Sequence, residues 1–243
     1  MTRWSMVIDL EKCVACQGCS VACRFENNTP VVKPDEAIAG RAVRWNDVFP
    51  YPVNGGEEET GEFPNVTTRY MTRPCMHCEN PPCTKVCPVQ ATFKDEEGLV
   101  RQNYDRCIGC RFCTVACPYA VRYFNWREPE WVEGMENFIN PDKIQSDGVS
   151  EGPTLRPKGV VEKCTFCIHR LKKARARALA EERDFRPDEY VPACVQTCTG
   201  KARYFGDLDD PNSTVSQLAS SARAFRLLED VGTHPKVIYL QEG

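Results

Sequence analysis

Short stretches of alternating apolar and polar residues run along the chain, and knots of cysteine lie between them. RWSMVIDL, residues 3–10, alternates just before Cys13 and predicts a strand. LVRQNY, residues 99–104, does the same before Cys107. YFNW (123–126) and ARYFGDL (202–208) predict strands that return after later cysteine groups, and KVIYL (236–240) predicts a last short strand. A longer helical signal is HRLKKARARALAEERDF (169–185), whose Ala, Leu, Lys, Arg and Glu content favours helix. Its basic face reads as solvated surface or, alternatively, as a contact for a partner or for lipid headgroups. DPNSTVSQL (210–218) predicts a turn followed by a helix capped by Ser213 or Asn212.

Two segments interrupt this pattern. Residues 26–65 contain the acidic, glycine-rich run GGEEETGE, which predicts a loop. Residues 127–159 follow Trp126 and carry Trp131, Pro129, Pro141, Pro153 and Pro157, so an irregular segment is expected, either a plain cover or a partner contact.

The cysteines change the picture. There are 16 in 243 residues, and they fall into four groups with none left over. The first is Cys13, Cys16, Cys19 and Cys23, spaced C-x2-C-x2-C-x3-C. The second is Cys75, Cys78, Cys83 and Cys87, spaced C-x2-C-x4-C-x3-C-P. The third is Cys107, Cys110, Cys113 and Cys117, spaced C-x2-C-x2-C-x3-C-P. The fourth is split into Cys164 and Cys167, then Cys194 and Cys198. A disulfide scaffold belongs to small secreted domains, and this chain is not short. Zinc suits separated C-x2-C pairs such as Cys164/Cys167 with Cys194/Cys198. It does not suit three thiols on one loop with a fourth facing away.

That uninterrupted string is the spacing of cubane iron–sulfur sites. Three cysteines at x2 intervals wrap one cluster. The fourth, which the spacing places at the start of a helix, serves the neighbouring cluster in bacterial two-cluster ferredoxins. Sixteen thiolates at four per cubane predict four [4Fe–4S] clusters. The crossover rule assigns their ligands. Groups two and three exchange fourth cysteines, giving one cluster Cys75, Cys78, Cys83 and Cys117 and its neighbour Cys87, Cys107, Cys110 and Cys113. Groups one and four exchange across the whole chain, giving Cys13, Cys16, Cys19 and Cys198 to one cluster and Cys23, Cys164, Cys167 and Cys194 to the other.

The expected fold class is therefore α+β: two nested units like bacterial ferredoxins, each holding two clusters, with long loop insertions. The outer, discontinuous unit takes residues 1–25 and 160–208, and the inner unit takes 66–126. Residues 26–65 and 127–159 are insertions, and 209–243 form a C-terminal extension. Basic residues flank the ligands at Lys12, Arg24, Arg73, Lys85, Arg106, Arg111 and Lys163. A thiolate-bound cluster is net negative, so nearby cations raise its reduction potential. Of the three histidines, His77, His169 and His234, only His77 lies inside a cysteine loop. With sixteen thiols already filling four clusters, it is expected beside a ligand rather than as one.

Charge and composition exclude several classes. With 31 basic and 34 acidic residues the formal charge is −3, which argues against phosphate-driven nucleic-acid binding. No run approaches the roughly eighteen apolar residues of a membrane span. The start, MTRWSMVIDL, shows neither an apolar signal region nor a twin arginine. A peripheral protein is expected, on the cytoplasmic side of a membrane or exported with a signal-bearing partner.

CVACQGCSVAC, CMHCENPPCTKVCP, CIGCRFCTVACPYAVRYF and EKCTFC with PACVQTC, followed by FGDLDDPNSTVSQL, together resemble the four-cluster iron–sulfur subunit of the complex iron–sulfur molybdoenzyme family. The resemblance covers nearly the whole chain outside the two insertions. It implies a non-catalytic electron-transfer subunit between a large molybdopterin subunit, carrying molybdenum or tungsten, and an integral membrane subunit that handles quinone. It further implies that the Cys13 cluster lies nearest the catalytic partner and the Cys107 cluster nearest the membrane partner. Two positions depart from the usual pattern: Arg24 stands where proline often follows the fourth cysteine, and the fourth group ends in CTG. A free-standing polyferredoxin and a structural zinc protein are the competing readings. Long insertions disfavour the first, and the uninterrupted cysteine strings disfavour the second.

Overall fold

The structure, a computed structural model, describes residues 2–51, 59–60, 62–130, 134, 139–140, 145–146, 149–150 and 156–241. Gly55 to Glu58 of the acidic run, and Trp131, Pro141 and Pro153 of the second insertion, lie outside the described residues.

Strand β1 (Trp4–Asp9) leads into the first cysteine loop and helix α1 (Gly18–Glu26), followed by α2 (Pro34–Ile38). Next come β2 (Asn46–Tyr51), β3 (Glu59–Thr60) and β4 (Thr67–Pro74), which form a small antiparallel sheet in the order β2-β4-β3. The second cysteine group surrounds the short helix α3 (Pro82–Lys85), and β5 (Thr92–Lys94) pairs antiparallel with β6 (Val100–Gln102). The third group surrounds α4 (Phe112–Val115), after which come β7 (Tyr123–Phe124) and a hairpin of β8 (Gln145–Ser146) and β9 (Val149–Ser150). Strand β10 (Val161–Glu162) pairs back onto β7, and the fourth group brackets α5 (Ile168–Ala180) and α6 (Ala193–Gln196). The chain closes with β11 (Arg203–Asp207), α7 (Thr214–Ala219), β12 (Ala224–Phe225) and β13 (Val237–Leu240).

The principal sheet has the order β11-β1-β13-β12. Strand β1 runs antiparallel to β11 and parallel to β13, and every one of its residues is buried. Its alternation therefore feeds two cores rather than one core and solvent. Trp4, Met6 and Ile8 face the main core, while Val7 packs with Val215, Ile238 and Leu240 under α7. Burying Met6 and Ile8 completely stabilises the fold by about 2 kcal/mol each. Trp4 anchors an aromatic cluster, stacked on Phe205 at 5.5 Å and edge-on to Tyr190 at 4.8 Å. Ser213 caps α7, its hydroxyl accepting from the Ser216 amide at 3.1 Å. The expected C-terminal extension thus supplies β13, which lies between β1 and β12.

The first insertion is likewise built into the fold: β2 runs along most of β4. The end of the second is fixed by a buried ion pair. Arg156 meets Glu162 at 2.6 Å, lies 4.8 Å over the Trp45 ring and donates to the Asn27 carbonyl at 2.6 Å. Trp45 completes the link by donating to Glu162 at 3.0 Å. Helix α5 is amphipathic, burying Ile168, His169, Leu171, Ala174 and Ala178. Glu26 at the end of α1 joins it through Arg170 (2.5 Å) and His169 (2.7 Å). Burial opposes ionisation of Glu26, yet the Arg170 and His169 hydrogen bonds bring its carboxyl down to about 2.

Candidate metal centres

None of the sixteen cysteines is in a disulfide. Nine are buried, five are half-buried, and only Cys16 and Cys110 are exposed. All four loops share one backbone device: the residue before the second cysteine is left-handed in each. These are Ala15 (φ 53°), His77 (42°), Gly109 (69°) and Phe166 (55°). A positive φ is disfavoured for side chains with Cβ, so its repetition at one register marks a shared geometric requirement.

A second device follows the fourth cysteine. Gln90, Ala120 and Lys201, each three residues on, are left-handed. The next amide then points back at the sulfur. Ala91 N–H donates to Cys87 Sγ at 3.2 Å, and Ala202 N–H to Cys198 Sγ at 3.3 Å. Val121 N–H serves Cys117 in the same way. Group one differs because its helix does not end at the fourth cysteine. Helix α1 continues through Cys23, its backbone amides are occupied, and the Asn27 side chain takes over. Asn27 Nδ2 lies 3.7 Å from both Cys23 Sγ and Cys167 Sγ. The expectation that a helix starts at the fourth cysteine needs revision: α1, α3, α4 and α6 begin at or just before the third ligand of their groups.

The fold brings distant groups together. Helix α1 packs on α6, and α3 packs on α4. Burial raises the Cys23 thiol well above its ordinary range, and the neighbours that add to this are Cys164, Cys167 and Cys194. Burial likewise pushes Cys78 up to about 12, with Cys75, Cys83 and Cys117 contributing. Cys13 is raised by burial, with Cys19 and Cys198 acting on it. Cys164 is raised by burial and then by Cys194 and Cys75, and Cys194 is influenced by Cys19, so successive groups abut. Cys16 goes the other way: the Thr199 hydroxyl, 3.4 Å from its sulfur, lowers it. For Cys87, Cys107, Cys110 and Cys113 the relevant geometry is the α3–α4 packing, the left-handed Gly109 and Arg111, and the shared apolar cluster of Cys83, Cys113 and Val161 against Cys107 and Phe124.

These donors fit iron–sulfur clusters. Buried thiols that raise one another's pKa stay protonated and inert unless a bound metal centre removes the protons. Among the described residues no three Cys, His, Asp or Glu side chains converge tightly enough for a single metal ion. A four-iron core is larger than one ion, and N–H donors to Cys19, Cys87, Cys164 and Cys198 face sulfur as such cores require.

His77 is fully buried between groups two and four. Its Nδ1 accepts from the Val100 amide at 3.2 Å, so Nε2–H donates to the Cys164 carbonyl at 3.1 Å, and its ring stacks on Phe166 at 3.9 Å. Burial, then Lys163 and Lys236, hold its pKa well below the usual value, so the ring is neutral. Lys163 is buried and donates to the carbonyls of Val100 and Cys164. The other flanking cations are more peripheral. Lys12, Lys85, Arg106 and Arg111 are exposed, Arg24 donates to the Pro30 carbonyl, and Arg73 lies over Phe49. Two buried arginines, Arg122 and Arg203, were not anticipated from the sequence. Their signal was a spacing: each stands five residues after the last cysteine of its group.

Comparison with known proteins agrees with this chemistry. Residues 66–134 match the 4Fe-4S dicluster domain. The chain is 46% identical to the iron–sulfur cluster-binding subunit of menaquinone reductase from Nitratidesulfovibrio vulgaris, over 98% of this chain and 88% of that one. It is 42% identical to a subunit of selenate reductase from Mesobacillus selenatarsenatis, over 98% of this chain and 72% of that one. It is 39% identical to the arsenate respiratory reductase iron–sulfur subunit of a Shewanella species, over 98% and 96%.

Proposed function

We propose a role for this chain from the family to which it belongs, the iron–sulfur subunits of the complex iron–sulfur molybdoenzymes. It carries four [4Fe–4S] clusters and relays electrons between a molybdopterin catalytic subunit and a membrane subunit that handles quinone. A bound cluster supplies one-electron transfer at a potential set by its surroundings. The chain's residues hold the clusters, turn amides toward sulfur and keep water away. They make and break no substrate bonds.

In this reading the ligand sets are Cys13, Cys16, Cys19 and Cys198; Cys23, Cys164, Cys167 and Cys194; Cys75, Cys78, Cys83 and Cys117; and Cys87, Cys107, Cys110 and Cys113. Two ferredoxin-like units are nested, residues 1–25 with 160–208 around residues 66–126. The α1–α6 and α3–α4 packing supports this pairing, as does the Asn27 amide shared between Cys23 and Cys167. The four clusters then lie in a row. His77 and Cys164 meet at its middle junction, and Cys75 acts on Cys164 there.

The observation that carries the relay is the exposure pattern. The two exposed cysteines, Cys16 and Cys110, belong in this reading to the first and last clusters of the row, and the thiols assigned to the two inner clusters are buried except for half-buried Cys117. Electrons enter and leave at opposite ends. The Cys16 end meets the catalytic partner and the Cys110 end the quinone-handling partner. No helix among the described residues is long and apolar enough to cross a membrane, so the chain is held there as a peripheral member of the complex.

The test is an anaerobic iron and acid-labile sulfide count on the native protein, with co-purifying subunits identified. About sixteen irons per chain, with a large molybdenum- or tungsten-containing subunit and a membrane subunit, is expected. About eight irons, or sixteen without partners, would contradict this reading.

A further inference from the structure

Arg122 and Arg203 are both almost wholly buried, and among the described residues no carboxylate pairs with either. Arg203 Nη2 donates to Asn46 Oδ1 at 2.6 Å and to the Thr72 hydroxyl, and Nη1 lies 3.5 Å from Met6 Sδ. Arg122 Nη2 donates to the Thr92 hydroxyl at 2.7 Å and to Gln102 Oε1 at 2.6 Å. Among the described residues its Nε and Nη1 have no partner. All these partners are neutral. A buried cation without a counter-charge costs several kcal/mol, and a guanidinium does not escape by losing its proton.

The compensating charge is in the surroundings. Burial works against ionisation of Arg122, and the groups that favour it are Cys83, Cys113, Cys75 and Cys117. For Arg203 they are led by Cys194 and Cys19, with Cys198 contributing. Each arginine thus feels both ligand sets of one unit. Asn46 extends the link: it accepts from Arg203 and donates through Nδ2 to Cys19 Sγ at 3.2 Å. Both arginines begin or precede a returning strand, five residues after Cys117 and Cys198, so the same step of the repeat delivers them.

We propose that Arg122 and Arg203 are a matched pair of buried counter-charges, each lodged between the two clusters of one unit and raising the reduction potential of both. An electron adds negative charge to an already negative cluster, and a fixed cation stabilises that form. Placed between two clusters, one arginine lifts both together and keeps the pair close in potential. The proposal rests on the nested ligand sets above.

The experiment is a redox titration of the intact complex followed by electron paramagnetic resonance, with signals assigned from single cysteine variants. Arg203→Gln is expected to lower the potentials of the two outer-unit clusters and leave the inner pair unchanged. Arg122→Gln is expected to do the converse. Each shift should reach at least tenfold in the reduction equilibrium, about 59 mV for one electron. Arg203→Lys, which keeps the charge, should restore most of the shift. Thr72→Asp and Thr92→Asp leave the arginines in place but set a carboxylate against each, and should lower the same pairs. Intact clusters with unchanged potentials would overturn the proposal. Loss of clusters in both the Gln and Asp variants would assign the arginines a purely structural role and overturn it equally. A clear shift in one cluster from each unit would leave the counter-charge standing and refute the nested ligand sets instead.

Discussion

The loops around Cys16 and Cys110 are near copies that meet different surroundings. CVACQGCSVAC and CIGCRFCTVAC share cysteine spacing, and Ala15 and Gln17 in one match Gly109 and Arg111 in the other as left-handed residues. The same registers face solvent: Val14 (66% exposed) with Ile108 (64%), and Val21 (54%) with Val115 (81%). Beyond the loops the likeness ends. Cys110 borders an open cavity of about 650 Å³, lined by Arg41, Arg111, Phe112 and Trp126 among others. Arg41 and Arg111 lie 4.9 and 4.7 Å from the Trp126 ring. Cys16 faces the Thr199 hydroxyl instead. The cysteine loop is thus a general cluster holder. What distinguishes the ends comes partly from within it, Arg111 and Phe112 against Gln17 and Gly18, and partly from outside: Arg41 from the first insertion, Trp126 just beyond β7, and Thr199 from group four.

The largest expected effects break one end outright. Cys113→Ala should lose or convert one cluster at the Cys110 end and abolish quinone-linked turnover, while the other three signals persist. Spectroscopy of the reduced complex checks this, and four unchanged signals would refute the assignment.

Next come the glycines that press each loop against a neighbour. A Cβ on Gly109 would lie 2.1 Å from the Gly159 carbonyl at φ +69°, and one on Gly200 would lie 2.4 Å from the Lys12 carbonyl. Gly109→Ala combines a clash with left-handed strain and should cost about 3 kcal/mol or more. Gly200→Ala lacks the strain and should cost less. Chemical unfolding of the two variants, with iron content, measures the difference.

Smaller effects separate the partners. Val115→Glu should weaken association with the membrane subunit by about tenfold or more and spare the catalytic subunit, while Val21→Glu should do the reverse. Pull-down titrations with each partner read this directly, and equal losses at both would contradict distinct ends. The smallest effect is Thr199→Val. Removing the hydroxyl from Cys16 should lower the potential of that cluster alone, by less than tenfold in its reduction equilibrium, under about 59 mV.

Much of this was readable in the residues because it is local. Spacing alone sorts the sixteen cysteines into four groups, alternation carries β1 and β6, and short apolar and aromatic runs carry β11 and β13. Ser213 was a legible cap because its partner amide is three residues away. What was not legible depends on distant pairing. Strand β13 lies parallel to β1 across the length of the chain, and β2 turns part of an expected insertion into sheet. Asn46 and Thr72 become partners of Arg203 only through that sheet. Arg122 and Arg203 themselves look like surface charges in a linear reading. Only burial between sulfurs gives them meaning, although the repeated five-residue step after Cys117 and Cys198 was there to be noticed.

The crossing of ligands between the ends of the chain is tested most directly by comparing Cys198→Ala with Cys13→Ala and Cys194→Ala in the reduced, intact complex. If the units are nested, Cys198→Ala alters the same electron paramagnetic resonance signal as Cys13→Ala, although the two residues stand at opposite ends of the sequence. If Cys198→Ala instead alters the signal lost in Cys194→Ala and leaves the Cys13 signal untouched, each group keeps its own cluster and the nested arrangement is wrong.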